Sequence, residues 1–135
     1  MLARRANEAN SMTEQVIVAL CTCPDEATAR RIAQTLVSER LATCVNRLAG
    51  VTSTYFWDGS LQDDAEVLLI IKTTAARLAG LEARLRALHP YELPELVALP
   101  VAGGNERYLE WVRTGVASAP AEPAGESTTS TQQGE

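Results

Sequence analysis

VNRLAGVTSTYFWDGSLQDDAEVLLIIKT, from Val45 to Thr73, reads as one long β-hairpin and decides the fold. Asp58-Gly59 stands near its centre, and both residues tolerate the positive φ that a type I′ turn demands. Ahead of the turn, Val51-Thr52-Ser53-Thr54-Tyr55-Phe56-Trp57 is rich in β-formers; beyond it, Val67 to Ile71 is apolar on both faces, as a doubly covered strand must be. Gly50 marks a bulge or bend in the first arm. Two arms of about 13 residues at roughly 3.3 Å each reach about 43 Å, against nearer 20 Å for a typical strand, so the tip must project.

Outward from the hairpin, Gln15 to Thr22 carries the unbroken apolar row Val16 to Leu20, a second strand covered on both faces. Cys23-Pro24-Asp25-Glu26 starts a helix with Pro at the first helical position, and Ala29, Ile32, Ala33, Leu36 and Val37 form its apolar stripe. After the hairpin, Thr74 is placed as the cap of a helix bearing Leu78, Leu81, Leu85 and Leu88. A short strand covers Glu95 to Val101, Gly103-Gly104-Asn105 breaks the chain, and Glu106 to Val116 is an amphipathic helix. The order β-α-β-β-α-β plus a terminal helix is α+β, the ferredoxin-like split βαβ, which puts the two doubly apolar strands side by side in the middle. The domain is placed at 15–116, between a flexible segment 1–14 and a disordered tail 117–135 of Ala, Pro, Glu, Ser, Thr, Gln and Gly.

This architecture leaves apolar surface without a cover. The hairpin tip holds Tyr55, Phe56 and Trp57, half of the six aromatic residues, and an isolated two-stranded ribbon is marginal in water. The last strand lies at an edge with Leu96, Val97, Ala98, Leu99 and Val101 and no charge in its middle. A closed homo-oligomer, each hairpin covering the next subunit's edge, resolves both; cover by the Trp111 helix of the same chain is the other solution.

The 135 residues suffice for one core without disulfides. Of the net charge of −5, three units belong to Glu122, Glu126 and Glu135, in a tail without Lys or Arg. The remainder offers no basic face for nucleic acid. The opening MLARRANEANSMTEQ has no apolar run like that of a signal peptide, and no run approaches the roughly 18 residues of a membrane span. With three cysteines, an odd number, reduced thiols and a cytoplasmic location are expected.

LHPYELPELVALP, Leu88 to Pro100, concentrates the only histidine and three of the six prolines. Pro90 and Pro94 bias His89 and Leu93 away from helical geometry, so the linker is stiff, which suits a small site carrying His89, Tyr91, Glu92 and Glu95. It equally suits a plain helix stop and strand start.

Taken together, Cys21-Thr22-x-Pro24-Asp25, Glu39-Arg40-Leu41-Ala42-x-Cys44-Val45-Asn46, Gly50-Val51-x-Ser53-x-Tyr55-x-Trp57-x-Gly59, Lys72-Thr73, His89-Pro90-Tyr91-Glu92-x-Pro94-Glu95, Leu99-Pro100 and Tyr108-Leu109-x-Trp111 resemble the divalent-cation tolerance family CutA, from about Val16 to Val116. The resemblance implies a homotrimer of ferredoxin-like subunits with interlocked hairpins, similar in shape to PII signalling proteins. It also implies loose association with copper and other divalent cations, and no established reaction. The ligands it implies are Cys21 and His89; some members have two adjacent histidines, whereas here Leu88 precedes His89.

Topology independently brings the end of the first strand, at Cys21, to the start of the last, just after Pro94, so that His89 and Glu92 come into range. Thiolate and imidazole suit copper, and zinc less selectively. Cys23, two residues on, can share the Cys21 face if the strand stays extended, but it supplies no C-x-x-C zinc spacing. Other roles stand beside these. Cys21 and Cys44 also suit small buried hydrophobes, His89 a cap on the last helical carbonyls, and Tyr91 and Trp57 interface anchors. Asp63, Asp64 and Glu66 read as a solvated strand start rather than a hard-cation site. The leading expectation is a trimer binding copper(II) at Cys21 and His89 in metal homeostasis; the alternative is a PII-like signalling or adaptor trimer. An enzyme would have only His89 with Glu92 as an acid–base pair, and Gly103-Gly104 lacks a phosphate-loop pattern.

Overall fold

At the tip of the hairpin, Asp58 and Gly59 take φ of 54° and 79°, the positive values that their residue types permit. In this computed structural model, which describes residues 14–117, β2 (Cys44–Trp57) and β3 (Ser60–Thr74) pair antiparallel through to Trp57↔Ser60. The register shifts between Leu48 and Val51, and Gly50 in that gap has φ 87°, so the expected bulge is present. The expectations for 1–14 and 117–135 fall, apart from Glu14 and Ala117, outside the described residues.

β1 (Val16–Cys23) pairs antiparallel with β3 along its whole length and with β4 (Val97–Pro100) through Ile17↔Pro100 to Leu20↔Val97. The sheet order β2-β3-β1-β4 is that of the ferredoxin-like fold, with the two doubly apolar strands central. β4 is shorter than the reading of Glu95 to Val101.

α1 (Glu26–Ser38) and α2 (Leu78–Leu88) lie on one face of the sheet. Their starts differ from expectation. Asp25, not Pro24, governs the first: its carboxylate accepts the Thr28 N–H at 2.8 Å, which holds the carboxyl below its ordinary range, and Pro24 precedes the cap. Thr74 makes no side-chain cap; it is buried, and a 3₁₀ turn, Ala75–Arg77, leads into α2. Ala19, Cys21, Cys23, Leu69 and Ile71 point into the core against Ile32, Leu36, Leu81 and Leu85.

α3 (Glu106–Ala117) starts where Asn105 accepts the Tyr108 N–H at 3.0 Å, a cap that the Gly103-Gly104-Asn105 break concealed. Leu109 and Val112 bury Val16, whose side chain alternates to the face opposite Ala19. Side chains hold its C-terminal half: the Thr43 hydroxyl donates to Val112 O at 2.6 Å, and among the end carbonyls Arg77 Nε donates to Val116 O at 3.0 Å. α3 does not cover β4, where Val97 and Leu99 remain exposed. The Trp111 helix is therefore not the cover for that edge.

Gly115 of α3 packs against Thr43, just ahead of β2: a Cβ there would lie 2.5 Å from Thr43 Cγ2 and 2.6 Å from Thr43 Oγ1. Gly115→Ala gains about 1 kcal/mol of helix propensity but displaces the hydroxyl that holds Val112. A net loss of about 1–3 kcal/mol is expected in urea unfolding, non-additive with Thr43→Ala because the two residues share one contact.

Candidate metal centre

Alternation along β1 turns Cys21 and Cys23 to the helix-covered face, and the strand stays extended to Cys23 as that sharing requires. Both are 0% exposed. His89 terminates α2: its N–H still bonds Leu85 O at 2.8 Å, but with ψ at 137° it leaves the helix ahead of Pro90. The β1–β4 pairing then draws the linker against the end of β1, and His89 is 7% exposed. The two sulfurs and one ring nitrogen lie within 4.8 Å of one another. Cys21 and His89 are thus brought together as topology predicts, Cys23 joins them, and Glu92, expected in range as well, is outside the cluster.

The His89 ring has two partners. Nδ1 accepts the Tyr91 N–H at 3.1 Å, so the hydrogen of the neutral ring sits on Nε2, which donates to Thr22 O at 2.8 Å. The ring therefore bonds β1 rather than capping the α2 carbonyls. An ion that takes a lone pair from His89 must displace one of these bonds, which links occupancy to the turn at Pro90 and Tyr91.

The thiols act on each other. The Cys21 thiol donates to Thr22 O at 3.7 Å, and the neighbouring Cys23 sulfur, with burial added, raises it far above its ordinary range while Cys23 is lowered. An ion bound to both sulfurs must displace their protons. Two soft sulfurs and an imidazole fit copper better than calcium or magnesium, which want oxygens. Cys44 is half-buried and outside the cluster.

On the opposite face, Glu66 corrects the sequence reading. It is 8% exposed and accepts the Tyr91 hydroxyl at 2.6 Å, whereas Asp63 and Asp64 accept from Thr54 and Tyr55. A partner 25 residues away along the chain left no local signal in the sequence. Tyr91 also lines a cleft of about 370 Å³ with Tyr55, Trp57, Pro90, Glu92 and Leu93. Glu92 thus faces the cleft while the His89 nitrogens are engaged by Thr22 and Tyr91, so the candidate acid–base pair is not assembled.

Burial, reinforced by the bond to Glu66, raises the Tyr91 phenol above its ordinary value near 10. A raised acid contributes stability that is complete below that value and lost as pH climbs above it. Tyr91→Phe should cost about 1–3 kcal/mol at neutral pH by stranding the buried Glu66 carboxylate. It should also remove part of the alkaline fall in stability, measurable by urea unfolding between neutral and high pH.

Residues 17–115 match the family model described as CutA1 divalent ion tolerance protein. The divalent-cation tolerance protein CutA of Thermus thermophilus is 53% identical over 96 residues, covering 71% of this chain and 93% of its own. Human protein CutA is 47% identical over 98 residues, covering 73% of this chain but only 55% of its own, and a rice chloroplastic relative is likewise covered over only 60% of its length. Among solved structures, the Thermus thermophilus protein superposes with a TM-score of 0.73 at 51% identity, covering 74% of this chain and 97% of that one. An Archaeoglobus fulgidus CutA described as periplasmic gives 0.73 at 30%, covering 75% and 98%. By residue pattern, fold and this agreement, the chain belongs to the CutA divalent-cation tolerance family.

Proposed function

We propose that the chain is a cytoplasmic homotrimer that binds divalent cations weakly, copper(II) foremost, at Cys21 and His89, and serves metal homeostasis. The observation that carries this reading is the convergence of the Cys21 sulfur and a His89 nitrogen within 4.8 Å in a buried cluster. Irving–Williams ordering favours copper(II) on sulfur and nitrogen donors. The family's shared description as divalent-cation tolerance proteins supports the same chemistry. The role of the protein residues is to bind and orient the ion; no catalytic step enters.

The trimer is supported by surface that one chain leaves open. On the sheet face away from α1 and α2, Leu48, Val97 and Leu99 are exposed, and at the tip Phe56 and Leu61 are 73% and 67% exposed. Exposed apolar side chains at the sheet edge and at the hairpin tip are what an interaction surface leaves open in one chain, and a closed ring of copies gives each a place to be covered. No described helix is long and apolar enough to cross a membrane. The cytoplasmic assignment rests on the free thiols.

A second reading, a PII-like module whose clefts bind a metabolite or partner, is favoured by one feature, the cleft walled by Tyr55, Trp57 and Tyr91. Titration calorimetry separates the two. Cys21→Ser with His89→Ala should weaken copper(II) at least tenfold, about 1.4 kcal/mol; binding equal to wild type sinks the metal reading. Light scattering at micromolar concentration should report three times the mass of one chain, and a well-folded single subunit would refute the trimer.

A further inference from the structure

Building on that metal reading, we propose that Cys23 is a third ligand and that Cys21, Cys23 and His89 form a site for a soft univalent ion, copper(I). Three features of the geometry point there. First, both sulfurs and the ring nitrogen converge within 4.8 Å, since residues two apart in an extended strand share a face. Second, the donor set is two sulfurs and one nitrogen, and thiolates select copper(I) among the biological copper states.

Third, the site is closed. Cys21 and Cys23 sit in the core with Leu36, Val67 and Leu69, so most of the ion's shell must come from protein donors, which suits a soft univalent ion and leaves a divalent one weakly held. Among the described residues no fourth Cys, His, Asp or Glu joins the cluster. Zinc almost always takes four ligands in a structural site, whereas three suffice for a soft univalent ion. Binding exchanges the two thiol hydrogens for the ion; both leave as protons and no electron moves. The complex then carries one negative charge. Arg31, whose guanidinium donates to Leu88 O at 3.3 Å, is a cation on that side, set against the carboxylates of Glu66 and Asp25, which act on Cys23 in the opposite sense.

The test is anaerobic titration of the full chain with copper(I) against a chromophoric copper(I) chelator, with copper(II) calorimetry in parallel. Wild type should bind one copper(I) per chain, and Cys23→Ser should weaken it roughly 100-fold while changing copper(II) affinity less than tenfold. Copper(I) affinity in Cys23→Ser within threefold of wild type, alongside its loss in Cys21→Ser, overturns the third ligand but leaves the two-ligand site standing. Unchanged copper(II) binding in Cys21→Ser with His89→Ala is the separate failure of the underlying reading. Copper-edge X-ray absorption on the wild-type complex needs no variant to fold: two sulfurs and one nitrogen are expected, and a single sulfur refutes the proposal.

Discussion

The two-residue alternation of β1, clamped between β3 and β4, is the constraint on which the molecule depends. It sends Ala19, Cys21 and Cys23 under the helices and Val18, Leu20 and Thr22 to the other face. A slip of one residue would exchange the faces, pushing both cysteines out and Thr22 into the core. That exchange is prevented because strands on both sides hold the register and because the helix-covered face admits only small or apolar groups.

The candidate site follows from that clamp. Antiparallel pairing of Leu20 with Val97 leaves the stiff His89–Pro94 linker no course except across the end of β1. Pro90 ends α2 in time for the His89 ring to reach Thr22 O, and the N–H of Tyr91 fixes the tautomer. Structural and ligand roles for His89 are therefore not alternatives. The bonds that orient the ring are the bonds an ion must trade against, and that cost is in keeping with weak binding.

The same turn serves both faces of the sheet. His89 reaches β1 beside the thiols, while Tyr91 crosses to Glu66 and walls the cleft with Tyr55 and Trp57. Whatever displaces the His89–Tyr91 bond acts on a cleft that the hairpin also lines. Metal binding and cleft binding would share one mechanical element, so the two functional readings are physically coupled rather than independent.

Local order was legible in the residues themselves. The Asp58-Gly59 turn, the Gly50 bulge, the two doubly apolar central strands and the meeting of Cys21 with His89 all follow from short-range conformational preference and strand order. What escaped was decided mostly by contacts between distant segments, the cap on α1 being the local exception. Asp25 rather than Pro24 caps α1, because a carboxylate beside a free N–H outweighs a φ preference. Thr74 is buried rather than capping, and Glu66 is hidden beneath Tyr91 instead of solvated. The burial of a side chain is a property of everything folded over it, so an acidic residue flanked by Asp63 and Asp64 carries no mark of the tyrosine that will cover it. The place of Cys23 in the cluster has the same cause: spacing permitted a shared face with Cys21, and only the tertiary approach of His89 made that face a site.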